Sequence, residues 1–161
     1  MKFYDREAEM TELKRLDRLS EEVSQFTVLM GRRRTGKTTL MTRCVEGKPY
    51  LYFFIGKKAE AIQCMEFQRQ MEEVLGIHIH GQVTELATLL QEVMFYSQQQ
   101  QVTVIIDEFQ RLADIDEGII GNIQRVWDRY HAEARVHLIA CGSIYSMMKH
   151  IFEDRKEPLF G

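Results

Sequence analysis

The chain has 161 residues, of which 45% are hydrophobic and 28% are charged, a composition typical of one globular domain with a buried core. The formal net charge of -3 gives no global basic field that would attract nucleic acid or an anionic membrane, although a local basic patch is not excluded. No stretch approaches the roughly 18 consecutive apolar residues of a membrane span, and the N-terminus lacks the apolar run of a signal peptide. The widely spaced Cys44, Cys64 and Cys141 indicate small buried side chains rather than a disulfide framework or a zinc site. We therefore expect a cytoplasmic protein.

Helical and extended patterns alternate along the chain. Apolar positions at helical spacing predict helices over residues 6–19, 38–45, 58–75, 83–94, 118–130 and 143–152. Asp5 is a candidate N-cap for the first helix, Gly76 ends the third, and Trp127 is expected in the core. Four short apolar runs predict buried strands at residues 26–30, 50–55, 102–106 and 136–141. This alternation implies an α/β fold with a parallel sheet covered by helices on both faces, in which ligands bind beyond the carboxyl ends of the strands.

A glycine-rich loop follows the first predicted strand and opens a predicted helix. Its residues fit the pattern G-x-x-x-x-G-K-[ST]. They are Gly31, Arg32, Arg33, Arg34, Thr35, Gly36, Lys37 and Thr38, with Thr39 next along the helix. The two glycines allow the backbone to turn its N–H groups inward and approach phosphate closely. The helix N-terminus adds partial positive charge. We expect Lys37 to reach the β- and γ-phosphates and the Thr38 hydroxyl to bind Mg²⁺.

Two carboxylates follow the third predicted strand. Asp107 is expected to hold Mg²⁺ opposite Thr38, directly or through water. Glu108 is expected to orient and polarise the attacking water as a general base. The alternative is a helix cap or a solvated acidic turn. For the nearby Asp114, Asp116 and Glu117, capping of the helix near Gly118 or plain solvation is favoured over a second metal site.

The fourth predicted strand ends in Gly142 and Ser143. The Ser143 hydroxyl could contact the γ-phosphate or the attacking water as a polar sensor, or it could cap the following helix. The three arginines of the loop either form a solvated basic surface or contact phosphate or a neighbouring subunit. His78 and His80 have no third ligand nearby in sequence, which favours a surface loop over a metal site. Met147, Met148, Ile151 and Phe152 form either an exposed docking face or ordinary core packing.

These motifs together resemble the ASCE division of P-loop NTPases, which includes the AAA+ and STAND ATPases, and within it the archaeal-type ATPase family. The segment beginning Phe3-Tyr4-Asp5-Arg6-Glu7 resembles the family's F-x-x-R-E-x-E box. The arginine-rich loop resembles its G-R-R-R-x-G-K-T motif. The remaining similarities are an I-D-E-F-Q strand at residues 105–110, a G-S turn at residues 142–143 and a P-L-[FY]-G segment at residues 158–161.

The resemblance implies a P-loop NTPase three-layer sandwich with strand order 5-1-4-3-2, and ATP rather than GTP as the nucleotide. It implies that backbone near residues 3–6, including Arg6, lies against the adenine. It also implies a fifth strand, a helical lid and a C-terminal domain beyond residue 161, so we expect residues 1–161 to be one ATPase core domain of a longer protein. Ile144 departs from the second serine common after G-S, which leaves the sensor role to Ser143 alone. Candidates for an arginine finger are Arg129, Arg135 and Arg155, for each of which a plain surface position is favoured.

The sequence therefore predicts an ATPase that uses Mg²⁺ to hydrolyse ATP and drive a conformational change. A nucleotide-gated switch with little turnover is the main alternative. A nucleic-acid motor or loader is a second, although no sequence feature supports nucleic acid as a partner, and an inert ATP-binding fragment is a third. The other partners considered are a second copy of the chain and the chain's own C-terminal domain, while no membrane is expected.

Overall fold

Four parallel strands form the centre of the molecule in the computed structural model, which describes residues 3–30, 43–45, 47–143, 148 and 151 and the side chains of these from residue 8 onward. The strands are β1 (Gln25–Met30), β2 (Tyr50–Phe54), β3 (Val102–Asp107) and β4 (Val136–Gly142). Their order across the sheet is β1-β4-β3-β2. The four predicted strands are confirmed, as is the 1-4-3-2 part of the predicted order.

Five described helices surround this sheet. They are α1 (Phe3–Leu19), α2 (Glu60–Leu75), α3 (Leu86–Tyr96), α4 (Arg111–Ile115) and α5 (Gly118–Tyr130). Gly76 ends α2 with a left-handed φ of 67°, as predicted. Asp5 as N-cap was wrong, because α1 begins at Phe3 and places Asp5 within its first turn. The short helix α4 was not predicted. Residues 43, 44, 148 and 151 are helical, and the rest of the two helices predicted around them lies outside the described residues.

Alternate residues of the buried strands face two separate apolar clusters. On one face, Val104 and Ile106 of β3 belong to a large cluster that includes Phe67 of α2 and Ile123 of α5. On the other face, Ile105 belongs to a smaller cluster whose members also include Leu13 of α1, Cys44, Val45, Ile139 and Cys141. Helical segments therefore cover both faces of the sheet, which confirms the three-layer α/β architecture. Cys44, Cys64 and Cys141 are free and buried, as expected.

A buried polar cluster ties α1 to the sheet at the end opposite to Asp107. The Asp17 carboxylate accepts a hydrogen bond from Thr103 Oγ1 at 2.7 Å and lies 2.7 Å from His137 Nδ1. Lys48 forms an ion pair with the same carboxylate, and Thr27 Oγ1 lies 2.7 Å from His137 Nε2. Burial pushes the pKa of Asp17 up, but the hydrogen bonds from His137, Lys48 and Thr103 outweigh burial and lower that pKa from its ordinary value. The cluster fixes α1 against β1, β3 and β4.

Two glutamines of α2 cover the open edge of the sheet at β2. Gln70 accepts from the Tyr52 N–H at 2.5 Å and donates to the Tyr52 carbonyl at 2.8 Å. Gln63 binds both backbone groups of Gly56 in the same way, at 2.8 and 3.1 Å. Each amide side chain thus replaces one residue of a neighbouring strand and satisfies backbone groups that would otherwise be open to pairing with another chain.

The change Gln70→Met is expected to lower the free energy of unfolding by about 1–3 kcal/mol, because it leaves two backbone groups of Tyr52 without these partners. Methionine and glutamine have similar helix propensities, so α2 itself should be little affected. Urea denaturation measures the change, with Arg69→Met, at an exposed position of the same helix, as the control. Equal stability of the two variants would contradict the role assigned to Gln70.

Candidate active site

The predicted acidic and hydroxyl residues meet at the carboxyl ends of adjacent strands. Asp107 is the last residue of β3 and is paired in register with Cys141 of β4, two residues before Ser143. On the other side of β4, Met30 of β1 is paired with Gly142. Gly31, the first residue of the glycine-rich loop, follows Met30 directly. The last residue before the glycine-rich sequence therefore lies beside Gly142, which Ser143 follows directly.

The loop itself lies outside the described residues. The positions of Gly31, Arg32, Arg33, Arg34, Thr35, Gly36, Lys37, Thr38 and Thr39 are consequently not part of the geometry below. Arg6 lies in the first turn of α1, but its side chain is also outside the described part. The phosphate, magnesium and adenine contacts expected of these residues remain predictions.

Asp107 is buried and its carboxylate is held from two sides. Its Oδ1 accepts the Glu108 backbone N–H at 2.8 Å, and its Oδ2 accepts the Tyr52 hydroxyl. Burial raises the pKa of the Tyr52 phenol, and its hydrogen bond to Asp107 raises it further, so the phenol stays a hydrogen-bond donor at neutral pH. These contacts fix the direction in which Asp107 presents its oxygens at the end of β3.

Glu108 has a backbone conformation that non-glycine residues rarely adopt. Its φ is 57°, in the left-handed region, where an L-residue pays roughly 1–2 kcal/mol. The surrounding hydrogen bonds enforce this conformation. The Phe109 N–H donates to the Cys141 carbonyl at 2.8 Å, and the Arg111 N–H donates to the Glu108 carbonyl at 3.0 Å. Strain of this kind is concentrated at functional sites, where the surroundings maintain it.

The unusual backbone is associated with a contact between Glu108 and the neighbouring strand end. The Ser143 hydroxyl lies 2.9 and 3.0 Å from the two Glu108 carboxylate oxygens, to which it donates. Gln110 donates its amide N–H to Glu108 Oε2 at 2.6 Å, and Arg111 Nε lies 3.9 Å from the same oxygen. Arg111 also donates to the Ile55 carbonyl at 3.0 Å, which anchors it to the end of β2. The structure therefore brings Glu108 and Ser143 together and adds two partners.

We expect Glu108→Gly to be more stable than Glu108→Ala by about 1–2 kcal/mol, because glycine adopts a positive φ without the Cβ clash of alanine. Both variants lose the same carboxylate, so the difference between their free energies of unfolding reports the cost of the positive φ at residue 108. In an ordinary conformation the order is reversed, since glycine costs roughly 0.5–1 kcal/mol relative to alanine. Urea denaturation of the two variants gives this difference, and a more stable alanine variant would show that residue 108 is not strained.

Tyr52, Gln110 and Arg111 were not assigned roles from the sequence. In the sequence, Gln110 is only the last residue of the I-D-E-F-Q segment. Tyr52 shares with Phe54 the strand face that faces away from Leu51 and Phe53, and strand alternation could have singled it out. No periodicity marks Arg111, since α4 has only five residues.

The other candidates for metal binding and for an arginine finger cap a helix, bind backbone carbonyls or lie on the surface. Asp116 accepts the Gly118 N–H at 2.8 Å, which is the predicted cap at the start of α5. Arg135 donates to the carbonyls of Ser97 and Gln98, while Arg129 is exposed beside the Tyr130 ring. Arg155 lies outside the described residues.

The remaining candidates that the structure describes lie on the surface or pack in the core. His78 and His80 are exposed in the loop after α2, as favoured. Met148 and Ile151 are fully buried in the large cluster, so core packing is correct for these two. Met147 and Phe152 are outside the described part. Trp127 is partly buried, with its ring edge-on to Phe26.

The donor set at the end of β3 fits a magnesium ion. The carboxylates of Asp107 and Glu108 and the hydroxyls of Tyr52 and Ser143 supply only oxygen, which is the ligand type that Mg²⁺ requires. Asp107 is 5% exposed and is held in one orientation by its two donors, so it is suited to present a carboxylate oxygen to the ion.

The sheet order and these strand ends define an α/β fold that matches the N-terminal part of P-loop AAA+ ATPases. The model of a family described as an ATPase domain predominantly from Archaea matches residues 3–159, so the chain belongs to this family. In the part of the chain that the structure describes, no helix is both long and apolar enough to span a membrane.

The relatives extend beyond the region of similarity. The chain is 30% identical over 159 residues to an uncharacterised protein of Methanocaldococcus jannaschii, MJECL04. The aligned region covers 99% of this chain and 34% of that protein. The Walker-type ATPase PABY2304 of Pyrococcus abyssi has a TM-score of 0.69 at 18% identity, over 93% of this chain and 50% of its own. The Aeropyrum pernix ORC2 protein, solved in ADPNP–ADP complexes, has a TM-score of 0.65 at 19% identity, and the match covers 94% of this chain and 45% of that protein. The chain thus spans about a third to a half of these proteins.

Proposed function

We propose that this domain binds ATP with Mg²⁺ and hydrolyses it to ADP and phosphate, and that the cycle drives a conformational change in a longer protein. One observation carries the proposal. A buried carboxylate, Glu108, is held by a strained backbone against Ser143, which follows Gly142, the residue paired with the end of β1. Membership of an ATPase family and the similarity to a protein solved with adenine nucleotides support ATP as the ligand.

In the proposed reaction, the glycine-rich loop and Lys37 hold the triphosphate, and Thr38 and Asp107 hold Mg²⁺. The ion neutralises the charge that develops on the phosphate oxygens. Glu108 accepts a proton from a water molecule while the oxygen of that water attacks the γ-phosphorus. The bond from the γ-phosphorus to the β,γ-bridging oxygen breaks, and ADP leaves with that oxygen. Ser143 lies beside the same carboxylate and contacts the attacking water or a γ-phosphate oxygen.

The described contacts of the Glu108 side chain suit this role, because hydrogen-bond donors stabilise the charged form of its carboxylate. Ser143 and Gln110 are neutral donors, and the Arg111 guanidinium stays 3.9 Å away. Hydrogen bonds to the charged form stabilise a carboxylate.

The proposal is tested by calorimetry of ATP binding with and without Mg²⁺, followed by a measurement of phosphate release at saturating MgATP. We expect Mg²⁺-dependent binding and continuous phosphate release. Binding with no release would favour the nucleotide-gated switch, and release that rises strongly on addition of DNA would favour a nucleic-acid motor or loader. Absence of ATP binding would contradict the hydrolase and both of these alternatives.

A further inference from the structure

Gln110 is a buried residue whose side chain contacts the Glu108 carboxylate. Its side chain amide donates to Oε2 at 2.6 Å, the shortest of the described contacts that carboxylate makes, while Ser143 lies at 2.9 and 3.0 Å. Gln110 is 0% exposed. A hydrogen bond to a charged acceptor of this length belongs to the stronger class of protein hydrogen bonds.

The packing around Gln110 leaves its side chain little freedom. Its Oε1 lies against Gly142, where an added Cβ would come within 2.6 Å of that oxygen and within 2.5 Å of two Met148 side-chain atoms. Glycine at position 142 therefore makes room for the glutamine. Turning the amide over would place its oxygen, instead of its N–H, against the carboxylate and replace an attraction by a repulsion.

The oxygen of the same amide, Gln110 Oε1, helps to distinguish a functional role for this residue from a purely structural one. Among the described residues, Gln110 Oε1 has no hydrogen-bond partner. A buried polar atom without a partner costs roughly 1–3 kcal/mol, so an apolar residue of similar shape would suit this pocket better on stability alone. The amide N–H on Glu108 is the contact that such a residue cannot make.

We propose that Gln110 is a positioning residue that holds the Glu108 carboxylate on the Ser143 side, in the orientation from which it activates water. Glu108 has a strained backbone, and the Ser143 hydroxyl contacts both oxygens of its carboxylate. Gln110, in the turn just before α4, donates to Oε2 and restrains the carboxylate from a second side. This inference rests on the proposed function.

The substitution Gln110→Met removes the N–H and retains the length of the side chain. We expect the single-turnover rate of MgATP hydrolysis to fall about 10- to 100-fold, the scale of a misplaced catalytic group. Because Gln110 acts through Glu108, the affinity for MgATP should not change. Gln99→Met, in the exposed turn after α3, is the matched control and should retain the wild-type rate. A normal or faster rate in Gln110→Met would overturn the proposal, and a faster rate would mean that Gln110 restrains Glu108 in an inactive position.

A double-mutant cycle with Glu108→Gln separates this inference from the proposed function. In the Glu108→Gln background, Gln110→Met should cause no further loss of rate, because the group it positions is gone. In denaturant unfolding, the midpoint shifts of Gln110→Met and Glu108→Ala should not add, because each substitution removes one partner of the same hydrogen bond. This second readout requires no catalysis. If the midpoint shifts are not additive but the protein has no ATPase activity, the proposed function is contradicted while the hydrogen bond between Gln110 and Glu108 is supported. Additive effects on both the hydrolysis rate and the unfolding midpoint would refute the role of Gln110.

Discussion

Replacing Glu108 with glutamine is expected to slow MgATP hydrolysis by about 10²- to 10⁴-fold, the usual contribution of a general base. Glutamine has nearly the same shape and can still occupy the space beside Ser143, but its neutral amide cannot accept a proton from water. Because the proposal assigns the triphosphate to the glycine-rich loop and Lys37, the affinity for MgATP should remain. Steady-state phosphate release and calorimetry on the same protein give the two quantities.

Glu117→Gln is the matched control for this experiment, since Glu117 is an exposed carboxylate just before α5. It should hydrolyse ATP at the wild-type rate. Normal turnover in Glu108→Gln would remove Glu108 as the base. A joint loss of binding and turnover would instead mean that the carboxylate supports the nucleotide site itself.

Replacing Lys37 with alanine is expected to weaken MgATP binding by about 2–5 kcal/mol, the usual effect of truncating one partner of a close charge pair. This corresponds to roughly 30- to 5,000-fold in the dissociation constant, which would raise a dissociation constant of about 1 μM to between about 30 μM and 5 mM. The reason is that Lys37 follows Gly36 at the end of the loop pattern and supplies the ammonium group expected on the β- and γ-phosphates. Calorimetry with MgATP measures the change.

The control for this loss is Lys57→Ala, which removes an exposed lysine from the loop after β2. It should bind MgATP with the native affinity. If Lys37→Ala bound as tightly as the wild-type protein, the glycine-rich loop would not be a triphosphate site. A change in the unfolding midpoint of Lys37→Ala would have to be excluded first, because misfolding also abolishes binding.

The strands could be predicted because their sequence and their burial have the same cause. Residues 102–106 are a continuous apolar and β-branched run, and β3 is buried along its whole length by helical segments on both faces. Helix boundaries were less predictable. The helix predicted from residue 83 begins at Leu86, because Gln68 accepts the Val83 N–H at 2.9 Å and holds that segment in a loop. The five-residue helix α4 is too short to produce a periodic pattern.

The strand ends indicated where the site would form, but not which side chains would meet there. Asp107 and Ser143 follow from position alone, since parallel strands end at the same edge of the sheet. The contact between Glu108 and Gln110 is accompanied by a positive φ at Glu108, which glutamate rarely adopts. The Tyr52 contact depends on the register between β2 and β3, in which Tyr52 is paired with Ile105 two residues before Asp107. Neither feature can be read from spacing along the chain.

A single-turnover experiment tests the central claim most directly. The wild-type protein, in excess over radiolabelled MgATP, is mixed rapidly and quenched at intervals, and the ADP formed is counted. Cleavage at the site built by Glu108 and Ser143 predicts that all the bound ATP becomes ADP in one exponential phase. Bound ATP that stays intact, in a protein whose calorimetry shows full MgATP binding, would contradict the claim that this arrangement hydrolyses the nucleotide.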